Sequence, residues 1–134
     1  MDIRYVLDTC TASYAINKKN AIVDHHLARV PMTELAISAV TEGELRYGLA
    51  RRASIPLQSI MERFLLAVTV LPWDSNAARE YGELRAALER DGRTIGSLDM
   101  MIAAHALALG AILVSSDSAF RRIKRLKVED WTKA

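Results

Sequence analysis

The sequence predicts an α/β protein in which a parallel sheet of four to five strands lies between helices. Three observations point there. Short apolar runs recur at residues 4–7, 35–38, 69–71 and 112–114 without the polar alternation of a half-exposed strand. Stretches with helical spacing separate them, which is the pattern of successive βα units. No composition shift or Gly/Ser/Pro-rich stretch interrupts the 134 residues, so residues 1–134 are expected to form one domain.

Each element has a local reason. Residues 4–7 form a first strand that ends at Asp8. Residues 10–17 form a short helix, broken by the polar run Asn17-Lys18-Lys19-Asn20. A second helix over 21–30 stops before Pro31, because a proline pushes its predecessor out of the α region. The second strand covers 35–38. Thr41-Glu42-Gly43-Glu44 then matches a capping box, with Thr41 as N-cap and Glu44 at N3, and predicts a helix from about 42 to 52. Pro56 opens a helix over about 57–66. Residues 69–71 are a third strand, closed by Pro72. Residues 75–90 place Ala78, Tyr81, Leu84 and Leu88 on one helical face, and Asp91-Gly92 ends that helix. Ser97 is a candidate cap for a helix over 98–109, which Gly110 terminates. A fourth strand at 112–114, a short helix at 118–124 and a last strand at 127–129 complete the order.

Composition excludes several classes. With 51% hydrophobic and 25% charged residues, the chain reads as a globular domain rather than a disordered one. The single cysteine, Cys10, rules out an intramolecular disulfide and a cysteine-rich zinc site, and it fits a reducing compartment. Met1-Asp2-Ile3-Arg4 lacks the basic start and apolar core of a signal peptide. The longest near-apolar run, 100–114, holds His105 and Gly110 and falls short of the roughly 20 residues that a membrane span requires. A cytoplasmic protein with no membrane association is expected. The net charge of +2 is a weak pointer to an anionic partner.

The chemistry lies in the acids. Asp8 follows the first buried strand, and open α/β sheets bind ligands at that edge. Asp117 echoes it after the fourth strand, in Leu113-Val114-Ser115-Ser116-Asp117. Asp99 sits among Leu98, Met100, Met101 and Ile102, where a carboxylate is costly unless paired or bound to a cation. Glu44 is the fourth, with Glu42 an open competitor. Each has an ordinary structural role available, as an N-cap or as a favourable charge in a first helical turn. Together they are harder to explain that way. Two carboxylates about 5 Å apart repel by roughly 3 kcal/mol at an effective dielectric of about 20. A hard divalent cation such as Mg²⁺ resolves such repulsion through oxygen ligands.

In order and spacing, Val6-Leu7-Asp8-Thr9, Thr41-Glu42-Gly43-Glu44-Leu45-Arg46-Tyr47-Gly48, Ile95-Gly96-Ser97-Leu98-Asp99-Met100-Met101-Ile102-Ala103-Ala104-His105 and Leu113-Val114-Ser115-Ser116-Asp117 resemble the PIN domain. The resemblance is to the VapC ribonuclease toxins of bacterial toxin–antitoxin pairs and covers nearly the whole chain. It implies a three-layer PIN-like fold and a Mg²⁺- or Mn²⁺-dependent endoribonuclease that cuts RNA and stops translation. It maps an acidic, metal-holding catalytic quartet onto Asp8, Glu44, Asp99 and Asp117, and chooses Glu44 over Glu42. Thr9 and Ser115 match supporting hydroxyl positions. Cys10 stands where many members have Asn, and Ser115 where many have Thr. The family further implies a cognate VapB-type antitoxin, a toxin homodimer, a toxin–antitoxin hetero-oligomer and a tRNA target, with initiator tRNA frequent among members.

RNA against an acidic centre calls for a basic rim. Arg46, Arg51 and Arg52 on one helix are candidates, as are Arg121, Arg122, Lys124, Arg125 and Lys127 near the end. A solvated face is the ordinary alternative for each. His25 and His26 are expected to be exposed, and His105, Trp73 and Trp131 to serve packing or hydrogen bonding. Competing readings fit less well. An RNase H-like nuclease opens with an antiparallel hairpin sheet. A phosphoaspartyl phosphatase needs a second Asp where Cys10 stands. A receiver-like signalling domain wants its acceptor Asp after a central strand, and the third strand ends at Leu71-Pro72-Trp73-Asp74. A non-catalytic PIN-like RNA-binding or interaction module is the alternative of another class, and such modules often lack acids that are all present here.

Overall fold

The computed structural model describes residues 2–134. In chain order these form β1 (Tyr5–Leu7), α1 (Thr9–Asn17), α2 (Ala21–Ala28), a 3₁₀ turn (Met32–Glu34), β2 (Leu35–Ser38), α3 (Ala39–Arg52), α4 (Ile55–Ala67), β3 (Thr69–Leu71), α5 (Ser75–Arg90), α6 (Ser97–Leu109), β4 (Ile112–Val114), a second 3₁₀ turn (Ser118–Arg122) and β5 (Val128–Glu129). The strands align in the order β3-β2-β1-β4-β5, and every pairing is parallel. The chain builds outward from β1 to β3 and then crosses back to lay β4 on the other side of β1. That reversal makes the carboxyl ends of β1 and β4 the switch point of the sheet.

Alternation along β1 gives the sheet two cores. Val6 joins Leu84 and Leu88 of α5, Met100 and Ile102 of α6, and Phe120. Leu7 joins Ala12, Ile16, Val23, Leu45, Met61 and Trp131. Both strand residues are essentially inaccessible, as expected for a parallel strand covered on both faces. The buried indole of Trp131 lies edge-on to Tyr5 and stacked with His26. His25 is exposed as expected, whereas His26 is half-buried and meets the Lys133 carbonyl. No helix among the described residues is long and apolar enough to cross a membrane.

Several boundaries correct the sequence reading. α3 starts at Ala39, not near Glu42, because the Ser38 side chain takes the N-cap by accepting from Val40 N–H. Thr41 is therefore inside the helix. It is fully buried, and its hydroxyl meets no partner. The capping box is absent, and Glu44 belongs to the second turn. α6 starts at Ser97 with Gly96 as its N-cap and no side-chain cap, so Ser97 is the first helical residue rather than the cap. In α5 it is Ala77, not Ala78, that faces the core with Leu84 and Leu88. Leu98 is exposed, in contrast to the apolar run that follows it. On α4, Leu57, Phe64 and Leu65 pack on the core, while Ile55 and Leu66 stay 79% and 86% accessible.

The orphan hydroxyl makes a prediction. Thr41→Val keeps the shape and removes a buried unpaired polar group, so it is expected to stabilise the fold by about 1 kcal/mol. Were Thr41 the cap, the same change would cost about that much. Thermal unfolding decides between the two signs.

Candidate active site

Asp8 is placed by the sheet. Its backbone N–H bonds to the Val114 carbonyl at 3.0 Å, extending the β1–β4 ladder by one residue past Leu7. Its side chain, only 5% exposed, caps α1 by accepting from Thr11 N–H at 2.8 Å. Asp117 sits across the switch point. It caps the second 3₁₀ turn through Ala119 N–H at 2.9 Å, and its own N–H donates to the buried Ser115 hydroxyl at 3.0 Å. Glu44 comes in from α3, and its Oε1 accepts the Thr9 hydroxyl proton. Asp99 arrives in the first turn of α6, half-buried. Among the described residues no side chain or backbone group donates to its carboxylate.

The four acids named from the sequence lie near enough to one another for their charges to interact. Burial raises the Asp99 pKa first, and the charges of Asp117, Glu44 and Asp8 raise it further. Cys10 reports the same field. Its thiol is pushed up by burial and then by Asp8, Asp117, Asp99 and Glu44. A thiol held protonated in this way is a poor nucleophile.

Thr9 and Ser115, the expected supporting hydroxyls, each hold one acid in place. Asp8, Asp117 and Glu44 each commit one oxygen to a protein donor and keep the other free, and Asp99 keeps both. Among the described residues no three His, Cys, Asp or Glu side chains stand close enough to form a ready-made chelate. The donor set is oxygen only and anionic, which fits a hard divalent cation rather than a soft one.

The basic candidates divide. Arg46 is consumed by ion pairs to Glu42 at 2.8 Å and Glu62 at 3.0 Å, so it does not belong to a free rim. Arg51 lies over the Tyr47 ring. With Arg52, Thr9, Glu44, Leu57 and Met61 it lines a groove of about 160 Å³ between α1, α3 and α4. Arg122 donates to the Thr94 carbonyl at 2.9 Å, and Arg121 lies near enough to Asp130 to favour its charged form.

One connection was not visible in the sequence. The buried His105 Nδ1 bonds the Ser38 hydroxyl at 2.8 Å, and burial holds its imidazole below the ordinary range. This ties α6, which carries Asp99, to the start of α3, which carries Glu44. The two residues are 67 positions apart, so no spacing rule could pair them.

The molecule is thus a parallel α/β protein with carboxylates gathered at its switch point. Residues 5–126 match the PIN domain. The chain is 35% identical to the tRNA(fMet)-specific endonuclease VapC of Shigella flexneri over 97% of its length and 99% of the relative's. It is 36% identical to ribonuclease VapC2 of Rickettsia felis, over 96% and 98%. A crystal structure of DNA-bound VapBC from Salmonella typhimurium superposes with a TM-score of 0.88 at 32% identity, covering 96% of this chain and 98% of that one. The chain belongs to the PIN-domain family, among its VapC ribonucleases.

Proposed function

We propose that this protein is the toxin of a toxin–antitoxin pair, a divalent-cation-dependent endoribonuclease that cuts tRNA and so halts translation. One observation carries the reading: the charges of Asp8, Glu44 and Asp117 all bear on Asp99. Asp8 and Asp99 would hold the principal ion, Mg²⁺ or Mn²⁺, with Glu44 and Asp117 completing its surroundings. Such an ion supplies an activated water and offsets charge on the phosphate and leaving oxygen.

The chain's own residues do the positioning. Thr9 fixes Glu44, Thr11 N–H fixes Asp8, and Ser115 fixes the turn that presents Asp117. No side chain is needed as a covalent nucleophile. Initiator tRNA is the favoured target, supported by the printed specificity of the Shigella flexneri relative.

The second half of the pair would be a VapB-type antitoxin. Likeness to the Salmonella typhimurium VapBC structure supports a hetero-oligomer, and a toxin homodimer within it is part of the same proposal. The groove between α1, α3 and α4 is the favoured seat for the antitoxin, because it joins Glu44 to the apolar side chains of Leu57 and Met61. A cytoplasmic site of action follows from a tRNA substrate.

The test uses the purified protein, free of any partner, with total RNA. Discrete tRNA fragments are expected with Mg²⁺ and not with EDTA. RNA left intact by folded protein in Mg²⁺ would overturn the reading.

A further inference from the structure

A cluster of positive charge lies close in the chain to two of the acids, Asp99 and Asp117. The end of α5 and the segment after the second 3₁₀ turn enclose a cavity of about 450 Å³. Arg93, Arg122, Lys124 and Arg125 line it, against a single carboxylate, Asp91. Its apolar floor is the buried trio Leu84, Leu88 and Ile123. We propose that this cavity holds the phosphate backbone of the RNA strand where it leaves the scissile bond. The inference rests on the ribonuclease reading and adds a place where the substrate is gripped.

Both walls of the cavity run straight into the acids. Arg122 ends the turn that Asp117 caps. A 3₁₀ turn rises about 2 Å per residue, so the two residues lie roughly 10 Å apart along it. On the other wall, Arg93 precedes Thr94 in the loop that leads through the Gly96 cap to Asp99. The Arg122–Thr94 hydrogen bond joins the two walls. It also fixes the Arg122 guanidinium while leaving its other N–H groups free, the arrangement suited to phosphate.

Availability separates this cavity from the other basic residues. Arg46 is held by two glutamates, and Arg85 by Glu89 and Tyr81. Within the cavity only Arg125 has an acidic partner, the exposed pair with Glu80 at 3.1 Å. Arg93 and Lys124 have no ion-pair partner among the described residues.

The test measures binding, not turnover. The full-length protein is titrated with a fluorescent single-stranded RNA oligonucleotide in EDTA, over a range of salt concentrations. Each phosphate contact to a single strand contributes about 0.7 to the slope of log affinity against log salt. Arg93→Ala/Lys124→Ala is therefore expected to weaken binding several-fold and to lower that slope by about 1.4. Arg79→Ala/Arg85→Ala removes the same charge from α5, outside the cavity lining, and is expected to keep the wild-type slope. Asp91→Asn, which removes the opposing carboxylate, is expected to tighten binding. A wild-type slope in the Arg93/Lys124 variant overturns the proposal. So does an equal loss in the Arg79/Arg85 variant, or a cavity that takes an acidic polypeptide while RNA binding is unmoved. Failure of the ribonuclease reading looks different: wild-type protein would leave RNA uncut in Mg²⁺.

Discussion

Asp8→Asn is expected to lose RNA cleavage by about a thousandfold or more and to keep its fold. Asparagine is as good an N-cap as aspartate, so the bond from Thr11 N–H survives and α1 is not disturbed. What disappears is one negative charge at the switch point. A carboxylate that holds a catalytic cation supports several kcal/mol of charge stabilisation, and each 1.36 kcal/mol is a factor of ten in rate, which gives the stated loss. Cleavage rate on tRNA with Mg²⁺, measured beside a thermal melt, separates lost chemistry from lost structure. An Asp8→Asn protein with full activity would remove the acidic mechanism.

Asp99→Asn is expected to do something less intuitive: to stabilise the cation-free protein while abolishing activity. Burial and the neighbouring acids raise the Asp99 pKa above that of an unfolded chain. Between those two values the native state holds a proton that the unfolded state has lost. Stability therefore falls as pH rises through that window, and the penalty is complete above it. Asparagine carries no such penalty, so at neutral pH without divalent cations its melting temperature is expected to be higher by a few degrees. Mg²⁺ should reverse the order. Wild-type protein at 100 times its dissociation constant would gain about 2.7 kcal/mol, and the variant much less. A melting series with and without Mg²⁺, from acid to neutral pH, reads both effects. A destabilised variant in EDTA would mean that the four charges do not oppose one another.

The strands and the acids were legible because their signals are local. A buried parallel strand announces itself as an unbroken apolar run, and Asp8 and Asp117 follow such runs directly. What failed was local ambiguity. Thr41-Glu42-Gly43-Glu44 imitates a capping box, but Ser38, three residues earlier, reaches its helix first and leaves the Thr41 hydroxyl without a partner. Ser97 looked like a cap for the same statistical reason, although the backbone turns at Gly96. The basic rim was only half legible, since a charge pattern does not show partners. Arg46 is spent on Glu42 and on Glu62, the latter from another helix. Arg93 drew no notice because it lies in a short loop, and only the fold sets it opposite Arg122 and Lys124. The His105–Ser38 bond likewise exists only once α6 has docked beside the start of α3.

The crossover that seats β4 beside β1 has a consequence for the order of synthesis. Asp8 leaves the ribosome before β4 and Asp117, which emerge only after α1 to α6. Until then β1 lacks one neighbour, and Asp8 and Asp117 cannot be brought to the same sheet edge. If the protein acts as proposed, elongation is a harmless interval, because Asp117 is the last of the four acids to be made.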